Sequence, residues 1–185
     1  MQSIWKSKGK KLHKRKIEVT TYDYDGQRII VEGFLKDGRF QESYMMFGDI
    51  LPSGVIHHMS IRLLVNCSNF LVEDVDVDLI SVPQEMCRET INCLAPIKGM
   101  AITKGFTLKA KKVAGGNKGC THLLELLQAM TPAIFHGLSA HQSQKPSVLD
   151  YEQVKKIIQP IFNTCRAWCE DGPFVEMFKK KFNKI

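Results

Sequence analysis

The chain has 185 residues, 44% apolar and 24% charged, which is enough for one domain with a core and an added helical lobe. Its net charge of +7 is carried by the ends: residues 1–16 hold seven Lys/Arg and the last eight residues hold four, both without an acid, so residues 17–177 carry about −4. A folded body of that sign does not offer the basic face with interleaved aromatics that nucleic acid needs, and the tails read as solvated ends.

The longest apolar stretch, Leu123 to Leu138, is too short for a membrane span and is interrupted by Glu125, Gln128 and His136. The charged N-terminus has no apolar run of the kind a secretory leader carries. The six cysteines therefore read as reduced thiols of a cytoplasmic protein, and no Cys-x-x-Cys pair signals a redox site or a zinc ribbon.

In chain order, the first strand begins near Arg15, where Ile17, Val19 and Thr21 alternate with Glu18, Thr20 and Tyr22. Asp25-Gly26 is a hairpin signal, Arg28 to Lys36 a second strand, and Asp37-Gly38 a turn that closes it. Arg39 to Met46 is a candidate third strand, and Gly48 to Gly54 a loop. The clearest strand is Val55 to Asn66, with Val55, His57, Met59, Ile61, Leu63 and Val65 on one face, so His57 is expected inward and His58 outward. After a turn at Cys67-Ser68-Asn69, a partner strand runs to about Ile80. Its Asp74, Asp76 and Asp78 form a solvated face opposite Arg62 rather than a calcium loop.

Helices are expected from there on. Pro83 to Leu94 is the first, packing Met86, Ile91 and Leu94. Met100 to Ala114 follows as a strand or an irregular helix, which the pattern does not distinguish. The glycine-rich turn Gly115 to Gly119 leads into a helix from Cys120 to Leu138, with Leu123, Leu127, Met130 and Ile134 as its stripe and a kink at Pro132. Ser139 to Ser147 is polar and loop-like. A helix from Leu149 to Cys169, kinked at Pro160 and burying Val154, Ile157, Ile158, Ile161, Phe162, Cys165 and Trp168, and a short one from Phe174 to Phe182 complete the chain. Strands first and helices afterwards predict an α+β fold, an N-terminal antiparallel sheet of four to six strands packed by C-terminal helices. The expected organisation is a basic tail over 1–14, a core domain over 15–140, and a helical extension over 141–185 packed on the core.

Chemistry concentrates at Cys120-Thr121-His122 with Glu125. A helix start offers free N–H groups that stabilise a thiolate, and Cys-x-His brings thiol and imidazole within reach of one metal or of each other. Glu125, on the same face, is placed to orient His122. The bland alternative is a small residue in a tight turn followed by two solvated first-turn residues. Two ligands do not make a site, so His57, Cys87 and Cys165 are the candidates to complete it. His57 alone on an apolar face is otherwise a core histidine, and Cys165 with Cys169 beside Trp168 otherwise packs a helix.

These residues carry a family resemblance. Gly119-Cys120-Thr121-His122-Leu123 with Glu125-Leu126 is its most specific part. Asp25-Gly26, Glu32-Gly33, Leu35-x-Asp37, His57-x-Met59, Cys87 before Gly99 and Gly105-Phe106, and Cys165-x-x-Trp168-x-x-Asp171-Gly172 support it. Over roughly residues 13–178 the chain resembles a bacterial family known mainly as a domain of unknown function. That family usually has His-Asp-Met where this chain has His57-His58-Met59, and often Cys-His at Cys165-Arg166, so positions 58 and 166 are not candidates for chemistry here. The resemblance implies a bacterial, cytoplasmic protein, carries no activity, and raises His57, Cys87, Cys120, His122 and Cys165 above the other candidates. A second likeness is one of layout: a cysteine on a helix, a glycine-punctuated segment and Gly-Cys before another helix resemble small iron–sulfur assembly scaffolds.

Three functions remain open. The first is a metal- or iron–sulfur-binding module with ligands among Cys120, His122, His57, Cys87 and Cys165, for which zinc or a cluster suits thiolate and imidazole donors. The second is a thiol enzyme with Cys120 as nucleophile and His57 as base. The third is a non-catalytic ligand-binding or interaction domain. No phosphate loop, dinucleotide fingerprint or serine elbow is present. No partner is indicated, and a homo-oligomer is compatible with the chain.

Overall fold

The computed structural model describes residues 3–144 and 149–182. It divides into two compact units, residues 1–142 and 143–185. The first unit is built on an antiparallel sheet in the order β1-β2-β5-β6: β1 is His13–Asp23, β2 Arg28–Arg39, β5 Gly54–Asn66 and β6 Val72–Ser81. Between β2 and β5, Ser43–Tyr44 (β3) pairs with Ile50–Leu51 (β4) in a separate ribbon. Two helices follow, α1 (Phe106–Ala114) and α2 (Thr121–Gln142). The protein is α+β, with an N-terminal antiparallel sheet and helices in the C-terminal half.

Period-two alternation sets which sheet face is buried. Ile29, Val31 and Leu35 of β2 stand opposite Val65, Leu63 and Met59 of β5, and the last three stand beside Val72, Val75 and Leu79 of β6. Helix α2 covers this face with Leu123, Leu126, Leu127, Met130, Ile134 and Leu138, all buried. Two glycines permit its close approach. A Cβ at Gly33 would lie 2.6 Å from the Met130 sulfur, and one at Gly137 would lie 2.6 Å from the Thr21 side chain. The helix therefore rests almost directly on the backbone of β2.

Several local expectations change. The strand through Arg39 to Met46 is replaced by the short β3, because Gly48, at φ +90, turns the chain back and its N–H bonds to the Met45 carbonyl. Pro83 to Leu94 forms a 3-10 segment, Glu85–Thr90, and turns rather than an α-helix. There the Thr90 hydroxyl donates to the Cys87 carbonyl (2.7 Å) and Arg88 reaches out to the Leu79 carbonyl (2.7 Å). Leu94 is buried as expected, while Met86 and Ile91 are exposed. The undecided segment resolves as helix α1, entered through Gly105 at φ +88. Helix α2 continues to Gln142, past the expected start of the polar loop, whose residues 145–148 lie outside the described residues.

In the second unit, Tyr151–Ile158 is α3 and Pro173–Lys181 is α4. The long helix expected to Cys169 stops at Ile158, because Pro160 has no N–H to continue the ladder and the chain passes into a 3-10 turn, Gln159–Ile161. Helix α3 has no fully buried residue, and Ile157 and Phe162 are exposed, so the expected buried stripe does not form. Its start is a capping box in which Asp150 and Gln153 satisfy each other's backbone N–H groups. Among the described residues, no helix is long and apolar enough to cross a membrane.

The seating of α2 gives a stability prediction. Gly33→Ala should lower stability by about 1–3 kcal/mol through overpacking against Met130. Met130→Ala should then cost less in that background than in the wild type. Denaturant unfolding of the four proteins in a double-mutant cycle measures the coupling, and additive losses would count against the close contact.

Candidate metal centre

The register of the sheet places three chemical groups in one row. Arg15 of β1 pairs with Asp37 of β2, and Asp37 pairs with His57 of β5. Asp37 continues the buried face of Ile29, Val31, Gly33 and Leu35 rather than turning the chain, and β2 runs on to Arg39. The turn expected at Asp37-Gly38 is thus overturned, for a physical reason. Asp37 is only 2% exposed, and a carboxylate at that depth needs partners on both sides, which an extended strand between two others supplies.

Those partners are specific. Arg15 Nε and Nη2 donate to the two Asp37 oxygens, each at 2.7 Å, in a bidentate fork. Arg15 Nη1 also donates to Glu125 at the start of α2. His57 Nδ1 lies 3.2 Å from Asp37 Oδ2, and His13 Nε2 lies 3.5 Å from Oδ1. Burial pushes the Asp37 carboxyl up, but the Arg15 guanidinium, with His13 and His57, outweighs it and holds the group below the ordinary carboxylate value. Asp37 is therefore an ionised, oriented carboxylate at the end of an apolar face.

His57 owes its setting to irregular strand pairing. The β2–β5 register shifts between Asp37 and Gly38, and the β5–β6 register shifts between His58 and Met59. Such shifts bend a strand and re-aim its side chains. His57 faces the buried carboxylate, as its inward assignment anticipates. Burial and the neighbouring His122 lower its pKa against the opposing pull of Asp37, which keeps the ring neutral and its lone pair available at neutral pH.

His122 arrives from the other direction, in the first turn of α2. Gly119 makes the approach possible, since a Cβ there would lie 2.3 Å from the Ala114 carbonyl oxygen and 2.9 Å from Cys93 Cβ. The His57 and His122 rings meet at a tilt of 31° with centroids 3.8 Å apart. His122 Nε2 is 3.9 Å from Asp37 Oδ2, and its Nδ1 is 3.8 Å from the Cys120 sulfur. One donor atom each from Asp37, His57 and His122 lie within 4.8 Å of one another, a set with the chemistry of a divalent-cation site.

Of the residues singled out in the sequence, His57, His122 and Cys120 come together. Cys87 lies across a cavity that all four line. Glu125 turns to Arg15 rather than to His122. Cys165, in the second unit, is exposed. Asp37, Arg15 and His13 were not anticipated. Two signals point to Asp37: it falls in phase with Ile29, Val31 and Leu35, which puts a carboxylate on an inward face, and it belongs to the Leu35-x-Asp37 segment of the family resemblance.

Residues 13–136 match the family model described as "Protein of unknown function (DUF2889)". No match reaches significance among curated proteins or among solved structures. The matched segment contains all four strands of the main sheet, the site residues and most of α2, and the chain belongs to this family of unknown function.

Proposed function

We propose that the protein binds a single divalent transition-metal ion, zinc being the best fit, through Asp37, His57 and His122. The observation that carries this reading is the convergence of one ionised, buried carboxylate with two imidazoles from three separate elements. A set of two nitrogens and one oxygen suits a borderline cation and resembles zinc sites with an open fourth position, where the metal polarises a ligand or activates a water. An iron–sulfur cluster is a poorer fit, because clusters are held by several thiolates and the triad contains none. Cys120 faces the His122 nitrogen that points away from Asp37, where it fixes the ring rather than ligating the same ion. Arg15 takes one lone pair of each Asp37 oxygen and holds the carboxylate in place, leaving the second lone pair of Oδ2, on the side of His57, for a cation.

A second reading has its own observation. Cys120, His122 and Asp37 stand in a row, thiol to imidazole to carboxylate, at 3.8 and 3.9 Å. That order favours a thiol enzyme in which His122, rather than His57, would be the base.

Metal titration by calorimetry tests the first reading. Metal-free protein should take up a single equivalent of zinc, and His57→Ala or His122→Ala should weaken binding by about a hundredfold or more. No uptake, or unchanged affinity in His122→Ala, would refute it. For the thiol reading, mass spectrometry after brief iodoacetamide treatment at neutral pH should find Cys120 modified first, and at least tenfold more slowly in His122→Ala. Equal labelling of the two proteins would count against it.

The buried carboxylate also predicts how stability depends on pH. Because the folded pKa of Asp37 is depressed, its contribution is present above the unfolded carboxylate value and is lost as pH falls through the folded one. Arg15→Ala, which strands the carboxylate, should cost about 2–3 kcal/mol at pH 7. The deficit should shrink toward pH 3, because without the guanidinium burial pushes the Asp37 carboxyl up and the variant takes its proton before the wild type does. Urea unfolding at the two pH values measures it, and a pH-independent deficit would show that Arg15 acts through packing alone.

A further inference from the structure

We propose that the cavity beside this centre binds a small monocarboxylate with a hydrocarbon body, its head directed at His57 and His122; this rests on the metal reading above. The cavity measures about 300 Å³, at the small end of ligand pockets and too small for a nucleotide cofactor. Met59, Leu79, Val82 and Pro83 give it apolar walls, and His57 and His122 belong both to its lining and to the metal triad. The two imidazoles are the basic groups of the lining, which is otherwise completed by Gln84, Cys87, Thr90 and Cys120. The one hydroxyl in the wall, that of Thr90, is already committed to the Cys87 carbonyl.

Charge selects the head group. Asp37 and Glu125 against Arg15 leave the centre with one excess negative charge, which a divalent ion converts to one positive. A monoanion then neutralises the site. Three protein donors leave the ion at least one open position, and a carboxylate oxygen fills it without a proton or a redox partner. The apolar walls select the body, since each methylene moved out of water raises affinity by up to about fourfold.

The test uses zinc-loaded protein, with zinc content measured in every sample. Hexanoate, acetate and 1-hexanol are titrated by calorimetry, and the methyl signals of Met59, Leu79 and Val82 are followed by NMR. Hexanoate should bind at least tenfold more tightly than either acetate, which lacks the body, or 1-hexanol, which lacks the charge, and should shift those methyl signals. Val82→Phe, which fills the cavity without touching the triad, should keep its zinc and its acetate affinity and lose at least tenfold for hexanoate. Hexanoate binding no better than acetate to fully zinc-loaded wild-type protein would overturn this inference alone. Protein that holds no zinc would overturn the metal reading and this one with it.

Discussion

The arrangement depends on the fork between Arg15 and Asp37. A carboxylate on the inner face of a sheet is costly to desolvate, and a side chain that returns a charge-assisted hydrogen bond to each oxygen offsets that cost. The register makes the fork possible by pairing Arg15 with Asp37 across β1 and β2. Once held, the carboxylate supplies a fixed negative charge toward which His13, His57 and His122 all turn. Without the guanidinium the same aspartate would have to be protonated or solvated, and the two imidazoles would lose their common neighbour.

The site also depends on what surrounds it. Register shifts on both sides of His57 and His58 interrupt the regular ladders where the apolar face gives way to polar chemistry. From the other side, Gly119 lets the chain pass between Ala114 and Cys93 and start α2 with His122 over the sheet. The donors come from strands β2 and β5 and from a helix, so closing the site requires the whole first unit to be folded. A metal bound there would stabilise that unit as a whole, since the donors are not assembled in the unfolded chain.

The sheet was largely legible because its strands alternate with period two, and β5 does so over most of its length. Helix α2 was legible from its stripe. The 3-10 segment after β6 was not, because side chains such as Thr90 and Arg88 satisfy backbone carbonyls locally, and that competition leaves no periodicity. The site was half legible. His57 announced itself by phase and His122 by its turn, but Asp37 sits in an Asp-Gly pair that imitates a turn. Its burial comes from strands starting 13 and 54 residues into the chain, whose register no local pattern reveals. Arg15 was hidden for the same reason, as one of seven cations in a basic N-terminal run.

The seat of α2 on Gly33 has a mechanical consequence. Met130 marks where the helix rests on β2, and His122 lies eight residues nearer the N-terminus, a lever arm of about 12 Å. A tilt of about five degrees about that fulcrum carries the imidazole roughly 1 Å, which is the margin between a bonded and a broken ligand. The precision of the centre is thus governed partly from a glycine that touches none of its atoms. Variation in the size of the Gly33–Met130 contact is a route by which the fold can loosen or tighten its hold on a ligand while every donor stays in place.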